Sequence, residues 1–291
     1  MKHLSIIIVT YHSEEDIYDC LDSLWQHCDI PQQNVEVILV DNSPECEPMF
    51  SKLRQLYGEK LILIHNTHNG GYGHGNNVGI RHATAPVILI MNPDVRLCEP
   101  VFAAALAAFE KDEELCMYGM KQFLSDSVKS PLSFDCSIRM NGYLAPILSS
   151  LCNRWDCFLS QWMFLSGSFF FIRKQMFEQV GLFDEDIFMY GEEDDIHWRL
   201  KQRFGAHFVY NPRFRYIHRT LDRPMNLETE RKMLQAFVLS NKKKGISADR
   251  TLRNRKRFYR VRYVSALCKK LLGRENKEHL KIIKAMLNEI G

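Results

Sequence analysis

The chain has 291 residues, 46% of them hydrophobic, 25% charged and 11% aromatic, a globular balance that excludes long disorder, collagen-like repeats and coiled-coil arrays. No apolar run approaches the roughly 20 residues needed to span a bilayer. The net charge of +3 hides an asymmetry: from Asn241 onward there are 16 lysines or arginines against 4 acidic residues, about +12, leaving 22 basic and 31 acidic groups on the first 240 residues, about −9.

An acidic body with a basic tail points to contact with phosphate-bearing surfaces, or more plainly to a solvated helical face. The N-terminus enters a β-like run at once, without the pattern of a signal peptide. The nine cysteines form an odd set without a C-x-x-C pair. Neither a disulfide framework nor a zinc cage is expected, and the reading is a cytoplasmic, reducing environment.

Leu4 to Thr10 is nearly continuous apolar and β-branched, as in a strand covered on both faces. Ser13 is placed to cap the next helix, with Glu14, Glu15 and Asp16 suiting its positive end. Ile17, Cys20, Leu21, Leu24 and Trp25 form that helix's apolar stripe. Val35 to Val40, Leu61 to Ile64 and Val87 to Ile90 read as further strands. Helical patterns around Ser51 to Tyr57, Asn76 to His82 and Pro100 to Glu110 fit between and after them. The succession predicts an α/β fold, a mainly parallel sheet flanked by helices, with ligands beyond the carboxyl ends of the strands.

Residues 120 to 160, with Pro131, Gly142 and Pro146, read as a loop or lid. A strand at Phe169 to Ile172, a short helix, a stronger helix from about Glu192 to Phe204 and a strand at His207 to Tyr210 follow. The last 65 or so residues read as helices. The boundaries are 1–222 for the main domain, split into 1–119 and 120–222, and 223–291 for a basic helical extension.

Polar residues cluster at the expected strand ends: Thr10, Tyr11 and His12; Asp41, Asn42 and Ser43; Asn69 to Asn77; and Asn92-Pro93-Asp94. Any one set is ordinary turn chemistry, but four on one edge converge on a ligand. Asp41 can accept from a base N–H or a ribose hydroxyl. The glycine-rich turn lets backbone approach a ligand, and the helix after it offers N–H groups to anionic oxygens.

Glu192-Glu193-Asp194-Asp195 is the densest acidic cluster. It complements a helix dipole, with Asp195 pairing Arg199 one turn on. Ile196, Leu200 and Phe204 define the inward stripe. Glu193 lies along it, while Asp195 shares the polar face with Arg199 and Gln202.

The runs SIIIVTYHSEEDIYDCLDSL, ILVDNS, HNGGYGHGNN and MNPDV resemble family 2 glycosyltransferases with a GT-A fold, in the rhamnosyltransferase-like branch. FLSGSFFFIRKQMFEQVGLFDEDIFMYGEEDDIHWRLKQRFG and the later RYIH are similar to the acceptor-side half of the same family. The resemblance covers roughly residues 3 to 220. It implies that Thr10, Tyr11 and Asp41 hold the nucleotide, and that Asn69, Gly71, Asn76 and Asn92 line the donor pocket. Asp94 matches the last residue of the metal-binding Asp-x-Asp, and Asn92 stands where its first Asp would be. His218 matches a metal- or phosphate-facing histidine. The implied cofactor is Mg²⁺ or Mn²⁺, whose charge offsets a departing diphosphate.

The family's acidic motif is usually Glu-Asp-x-Asp with its second carboxylate as catalytic base. Glu193 occupies that position and is favoured over Asp195 or Glu192. The implied activity is inverting transfer from a nucleotide-diphosphate sugar, with rhamnose as the candidate sugar, to a cell-surface glycan or lipid-linked acceptor.

Two other classes compete. Gly73-His74-Gly75-Asn76-Asn77-Val78-Gly79 is one spacer longer than the dinucleotide fingerprint of an oxidoreductase, and it follows the third strand instead of the first. Arg255 to Tyr263 interleaves cations and aromatics as a nucleic-acid module would, but the acidic body argues against one and no nucleic acid is expected. Tyr263, Leu267, Leu271 and Leu272 beside Lys269, Lys270 and Arg274 form a candidate interfacial helix for an anionic membrane, or a helix packed on the domain.

Overall fold

The computed structural model describes residues 2–137, 139–219, 226–271 and 277–290. In chain order the elements are β1 Leu4–Thr10, α1 Ile17–Gln26, β2 Val35–Asp41, α2 Glu47–Tyr57, β3 Leu61–His65, α3 Gly71–His82, β4 Val87–Met91, β5 Val95–Leu97 and α4 Phe102–Lys111. Then follow β6 Met117–Phe123, β7 Phe134–Cys136, α5 Leu144–Trp155, β8 Met163–Leu165, β9 Phe169–Arg173, α6 Lys174–Gln179, α7 Glu192–Phe204 and β10 Phe208–His218. Helices α8 Leu227–Lys243, α9 Ala248–Leu271 and α10 Lys277–Glu289 complete the described chain.

An eight-stranded sheet runs in the order β3-β2-β1-β4-β9-β6-β10-β5, and β7 and β8 pair separately. β1 to β4 are parallel, β9 runs antiparallel between β4 and β6, and β6 pairs parallel with β10. The expected mainly parallel sheet is therefore present.

Alternation explains why the early strands read as continuous apolar runs. Ile6, Ile8, Val37, Leu39 and Leu89 face a core closed by α1, α2 and α4. Ile7, Ile38, Val40, Ile88 and Ile90 face a second core closed by α3, α6 and α7. A strand covered on each face needs apolar side chains at every position.

Several expectations are corrected. Ser13 does not cap α1: its carbonyl accepts from Asp16 and Ile17 in a preceding turn, and the helix starts at Ile17. Residues 120 to 160 are not a structureless lid, because they carry the end of β6, the β7 strand and the whole of α5. The glycine-rich segment is not a turn but the first half of α3. β10 extends to His218 instead of ending at Tyr210, with a register shift between Asn211 and Arg215 that accommodates Pro212.

The boundary expected near Asp222 lies outside the described residues, as do Leu272 and Arg274 of the proposed membrane stripe. Tyr263 in that stripe packs on a cluster of Tyr259, Ala266, Ile283 and Met286, which holds α9 to α8 and α10, while Leu267 and Leu271 stay exposed. Arg255 is buried among Phe237, Phe258 and Tyr259, 4.2 to 5.0 Å from their ring centres. The interleaved cations and aromatics thus include a packing unit.

Candidate active site

The sheet brings the expected polar residues to one edge. Thr10 pairs with Asp41 in register, and Asp41 with His65. Thr10 is fully buried, and its hydroxyl donates to Asp41 Oδ1 at 2.7 Å; the Ser43 hydroxyl donates to the same oxygen at 3.0 Å. Asp41 Oδ2 is buried without a hydrogen bond, so the carboxylate is aimed by two hydroxyls and keeps one acceptor for a ligand. Burial raises the Asp41 pKa, against the lowering effect of Thr10 and Ser43. Thr10 therefore orients Asp41, while Tyr11 stands exposed beyond the strand end.

At the next position Asn69 Oδ1 accepts from the Gly71 N–H at 3.1 Å. Gly71 has φ +92°, and a Cβ there would lie 1.9 Å from the Phe188 carbonyl oxygen. That carbonyl accepts from Tyr72 N–H, which fixes the start of α3 against the loop before α7. Asn76 is buried and donates to the Tyr72 carbonyl, so it braces the helix. Within α3, a Cβ on Gly79 would meet Ile7, and one on Gly75 would meet Val9 and Asn42. These glycines let a helix lie close on the sheet, which removes the geometric basis of the dinucleotide reading.

The Asn92-Pro93-Asp94 turn follows β4. Val95 N–H donates to the Asn92 carbonyl, and buried Arg96 donates to the Pro93 carbonyl at 2.9 Å, fixing the turn. His218, the last residue of β10, places Nε2 3.1 Å from Asp94 Oδ1. That nitrogen is buried and makes no hydrogen bond. One carboxylate oxygen and one imidazole nitrogen lie side by side, a donor set that fits a divalent ion. Among the described residues no group of three or more His, Cys, Asp or Glu could hold a metal. Asp94 and His218 fit an ion that takes its other ligands from phosphate and water.

A segment from the 120–222 half reaches this edge. Asn92 N–H donates to the Ser168 carbonyl at 2.9 Å, and the Tyr72 hydroxyl donates to the Gly167 carbonyl at 2.6 Å. A Cβ on Gly167 would lie 2.0 Å from Glu193 Oε1. The Glu193 carboxylate thus rests on Gly167, one residue from the contact with the Asn92 turn.

The four carboxylates at the start of α7 have different environments. Asp194 pairs with Lys244 at 2.7 Å, and Asp195 with Arg199 at 2.7 Å. Glu192 is buried with Oε1 lacking a hydrogen bond; burial and the neighbouring Glu193 hold its pKa well above the usual range. Glu193 is half-buried, and no cation pairs with it among the described residues. Burial raises its pKa, with backbone N–H groups pulling the other way.

The expected pair between Asp195 and Arg199 is present. The polar face assigned to Asp195 is nevertheless buried, because Arg199 and Lys244 cover it, and Glu193 is the more accessible of the two. His197 fixes the register: Nδ1 lies 2.8 Å from the Glu193 carbonyl, and Nε2 accepts from Leu165 N–H at 3.1 Å. Burial pushes its pKa down to about 4, so it is neutral at pH 7.

Residues 5–181 match the family model described as Glycosyl transferase family 2. The chain belongs to glycosyl transferase family 2. A low-salt glycan biosynthesis hexosyltransferase, Agl10 of Haloferax volcanii, is 28% identical over 69% of this chain and 62% of its own length. The chain thus spans about three-fifths of that relative. The dTDP-rhamnosyl transferase RfbF of Shigella flexneri is 26% identical over 78% of this chain and 72% of its own length.

The mannosyltransferase PcManGT of Pyrobaculum calidifontis, solved with GDP-Man and Mn²⁺, is similar in fold with a TM-score of 0.66. It is 16% identical, and the alignment covers 99% of this chain and 85% of that one. The fold of this family 2 member is GT-A-like, with helices added at the C-terminal end. The family model's match ends at residue 181, before α7, so it does not reach Glu193.

Sequence reasoning missed Lys244, His197 and Gly167. The signal for Gly167 was present in Ser166-Gly167-Ser168, which interrupts the longest apolar run. Lys244 left no local signal.

Proposed function

We propose that this family 2 chain transfers a sugar from a nucleoside-diphosphate sugar to an acceptor hydroxyl with inversion. The observation that carries the reading is the position of Glu193, the α7 carboxylate that is only partly buried, without a cation partner among the described residues and seated on Gly167 beside the Asn92 turn. Its neighbours Asp194 and Asp195 are neutralised by Lys244 and Arg199. A base must be free to take a proton, and a raised pKa brings a carboxylate nearer that task.

In this reading Asp41 Oδ2 accepts from the nucleoside, and Thr10 and Ser43 hold it in place. Tyr11 and Asn69 flank the nucleotide, with the α3 N-terminus facing anionic oxygens. Glu193 takes the acceptor O–H proton while that oxygen bonds to the anomeric carbon. The carbon–oxygen bond to the diphosphate breaks with its electrons leaving on the diphosphate. Asp94 and His218 would hold a divalent ion, Mg²⁺ or Mn²⁺, whose charge would offset that of the leaving group. Asn92 adds a neutral oxygen at the same turn. One displacement inverts the anomeric centre.

The name of RfbF and the sequence resemblance support deoxythymidine-diphosphate rhamnose as a first donor to test, with a cell-surface glycan precursor as acceptor. The nine free thiols support a cytoplasmic site of action. The test is a thermal-shift screen of nucleotide sugars with Mn²⁺ or Mg²⁺, followed by transfer to acceptors and assignment of the product anomer. A product that retains the donor's anomeric configuration contradicts the single displacement.

A further inference from the structure

The outer side of α5 carries an apolar ridge. Leu144, Ile147, Leu151 and Trp155 are 61%, 51%, 52% and 73% exposed. At 3.6 residues per turn they fall within a stripe about 80° wide. Trp162, also exposed, follows on the next loop. Against it, between α5 and α9, lies a groove of about 630 Å³ lined in part by Ile147, Leu151, Phe258 and Val261. A soluble monomer rarely leaves an apolar face of this kind uncovered.

Cations sit at each end of the ridge. Arg154 stacks over Trp155 with 5.8 Å to the ring centre. At the other end Arg260 donates to the Tyr143 hydroxyl at 3.2 Å, and Arg257 lies 5.7 Å from the same ring. α5 contains no acidic residue, and from Arg250 to Leu271 there is none on α9. Asp156, just beyond α5, is occupied by Lys121 and Lys129 at 2.8 Å each. One carboxylate, Asp135, lines the groove; the ridge itself, apolar and tryptophan side chains framed by arginines, matches a surface that seats in the headgroup layer of an anionic bilayer. Two copies packed antiparallel along α5 would instead set Arg154 of one against Arg257 and Arg260 of the other.

We propose that the α5 ridge, with Arg154, Arg257 and Arg260 around it, docks this protein on an anionic membrane surface. The ridge is tied to the candidate base helix, because Lys201 of α7 donates to the Gln161 carbonyl beside Trp162. This moves the membrane contact from the far end of α9, where the sequence pattern placed it, to a face that only the fold assembles.

Flotation of the full chain with phosphatidylcholine vesicles, alone or mixed with phosphatidylglycerol, tests the proposal without any sugar donor, so its result is independent of the proposed reaction. The wild type should float with the mixed vesicles at low salt and lose most of that binding at high salt. Leu151→Glu with Trp155→Glu changes exposed positions only and should keep the melting temperature while binding falls about tenfold or more. Arg154→Gln and Arg260→Gln should each lower binding about fivefold. Lys269→Gln with Lys270→Gln is the comparison at the far end of α9. Absence of flotation with mixed vesicles overturns the proposal. So does flotation of the ridge variant equal to wild type, whether or not the Lys269 and Lys270 changes abolish it. A dimer that Leu151→Glu dissociates, in a chain that ignores vesicles, would make the ridge a self-contact and overturn it equally.

Discussion

Nζ of Lys244 lies 2.7 Å from Oδ2 of Asp194, with both side chains buried. Lys244 follows α8, so the C-terminal helices supply the counter-charge for the acidic start of α7. Lys243 beside it pairs with Asp184 and Asp186 on the loop before α7 at 2.6 Å. The basic extension is therefore part of the scaffold that holds the candidate base helix.

Lys244→Met should strand the Asp194 charge in a buried site. Breaking a buried pair from one side typically costs about 3–5 kcal/mol, because the remaining charge stays desolvated. Adding Asp194→Asn should return a large part of that loss. Denaturant unfolding of the single and double variants measures it. Equal midpoints for wild type and Lys244→Met would show that the pair contributes nothing.

Glu193→Gln keeps the side chain's size and removes its basic oxygen. General-base catalysis is worth roughly 10²–10⁴-fold, so turnover should fall by about that factor. Donor affinity should stay near wild type, since Asp41 and Asp94 lie at the strand ends. Asp195→Asn should act through stability, by releasing Arg199. If Asp195→Asn abolishes transfer in a fully folded protein while Glu193→Gln leaves it intact, the base assignment moves to Asp195.

Gly167→Ala probes the same carboxylate without touching it. The added methyl would stand 2.0 Å from Glu193 Oε1 and 2.6 Å from its Cδ and Cγ, so the whole flexible arm of Glu193 must move aside. Melting should change little, whereas a displacement of about 1 Å can cost on the order of 10²-fold in turnover. Unchanged turnover in this variant would detach Glu193 from the chemistry.

The first four strands were legible because burial on two faces demands apolar side chains at every position. β6 was not, since Gln122 within it is polar yet buried, where it bonds Ser130, Ser166 and Tyr216. Glycine-rich α3 read as a turn because propensity weighs against glycine in a helix. Contact with Ile7 and Val9 outweighs that propensity. Helical spacing separated Glu193 from Asp195 correctly, but it misjudged which is buried. The cover over Asp195 includes Lys244, which no local pattern ties to α7. The placing of Asp41 and Asp94 at the ends of β2 and β4 was legible from the strand patterns. The buried oxygen left open on Asp41 required the coordinates.

Asp94→Ala and His218→Ala should weaken donor binding in the presence of Mn²⁺ and change it little when EDTA is present. Two protein donors alone make a weak site, so the ion and the diphosphate should bind together. Calorimetric titration of donor with and without Mn²⁺ separates the cases. Full wild-type transfer in excess EDTA would show that Asp94 does not act through a divalent ion.

His197 gives the fold a pH dependence. Its pKa falls from 6.5 to about 4 on burial, so between those values the unfolded chain binds the proton and the folded chain does not. Stability is complete above pH 6.5 and is lost as pH falls toward 4. At 1.36 kcal/mol per pH unit, the loss amounts to about 3 kcal/mol. Glu192 and Glu193, whose raised pKa values make the folded state take protons more readily, act in the opposite sense. Wild type must therefore be compared with His197→Asn. The variant gives up the Leu165 and Glu193 hydrogen bonds and should be less stable at pH 7. Its unfolding free energy should also fall less steeply between pH 6.5 and 4, closing most of the gap at the acid end. Parallel stability curves for the two proteins would mean that His197 keeps an ordinary pKa, and that the link between Glu193 and Leu165 does not depend on a neutral ring.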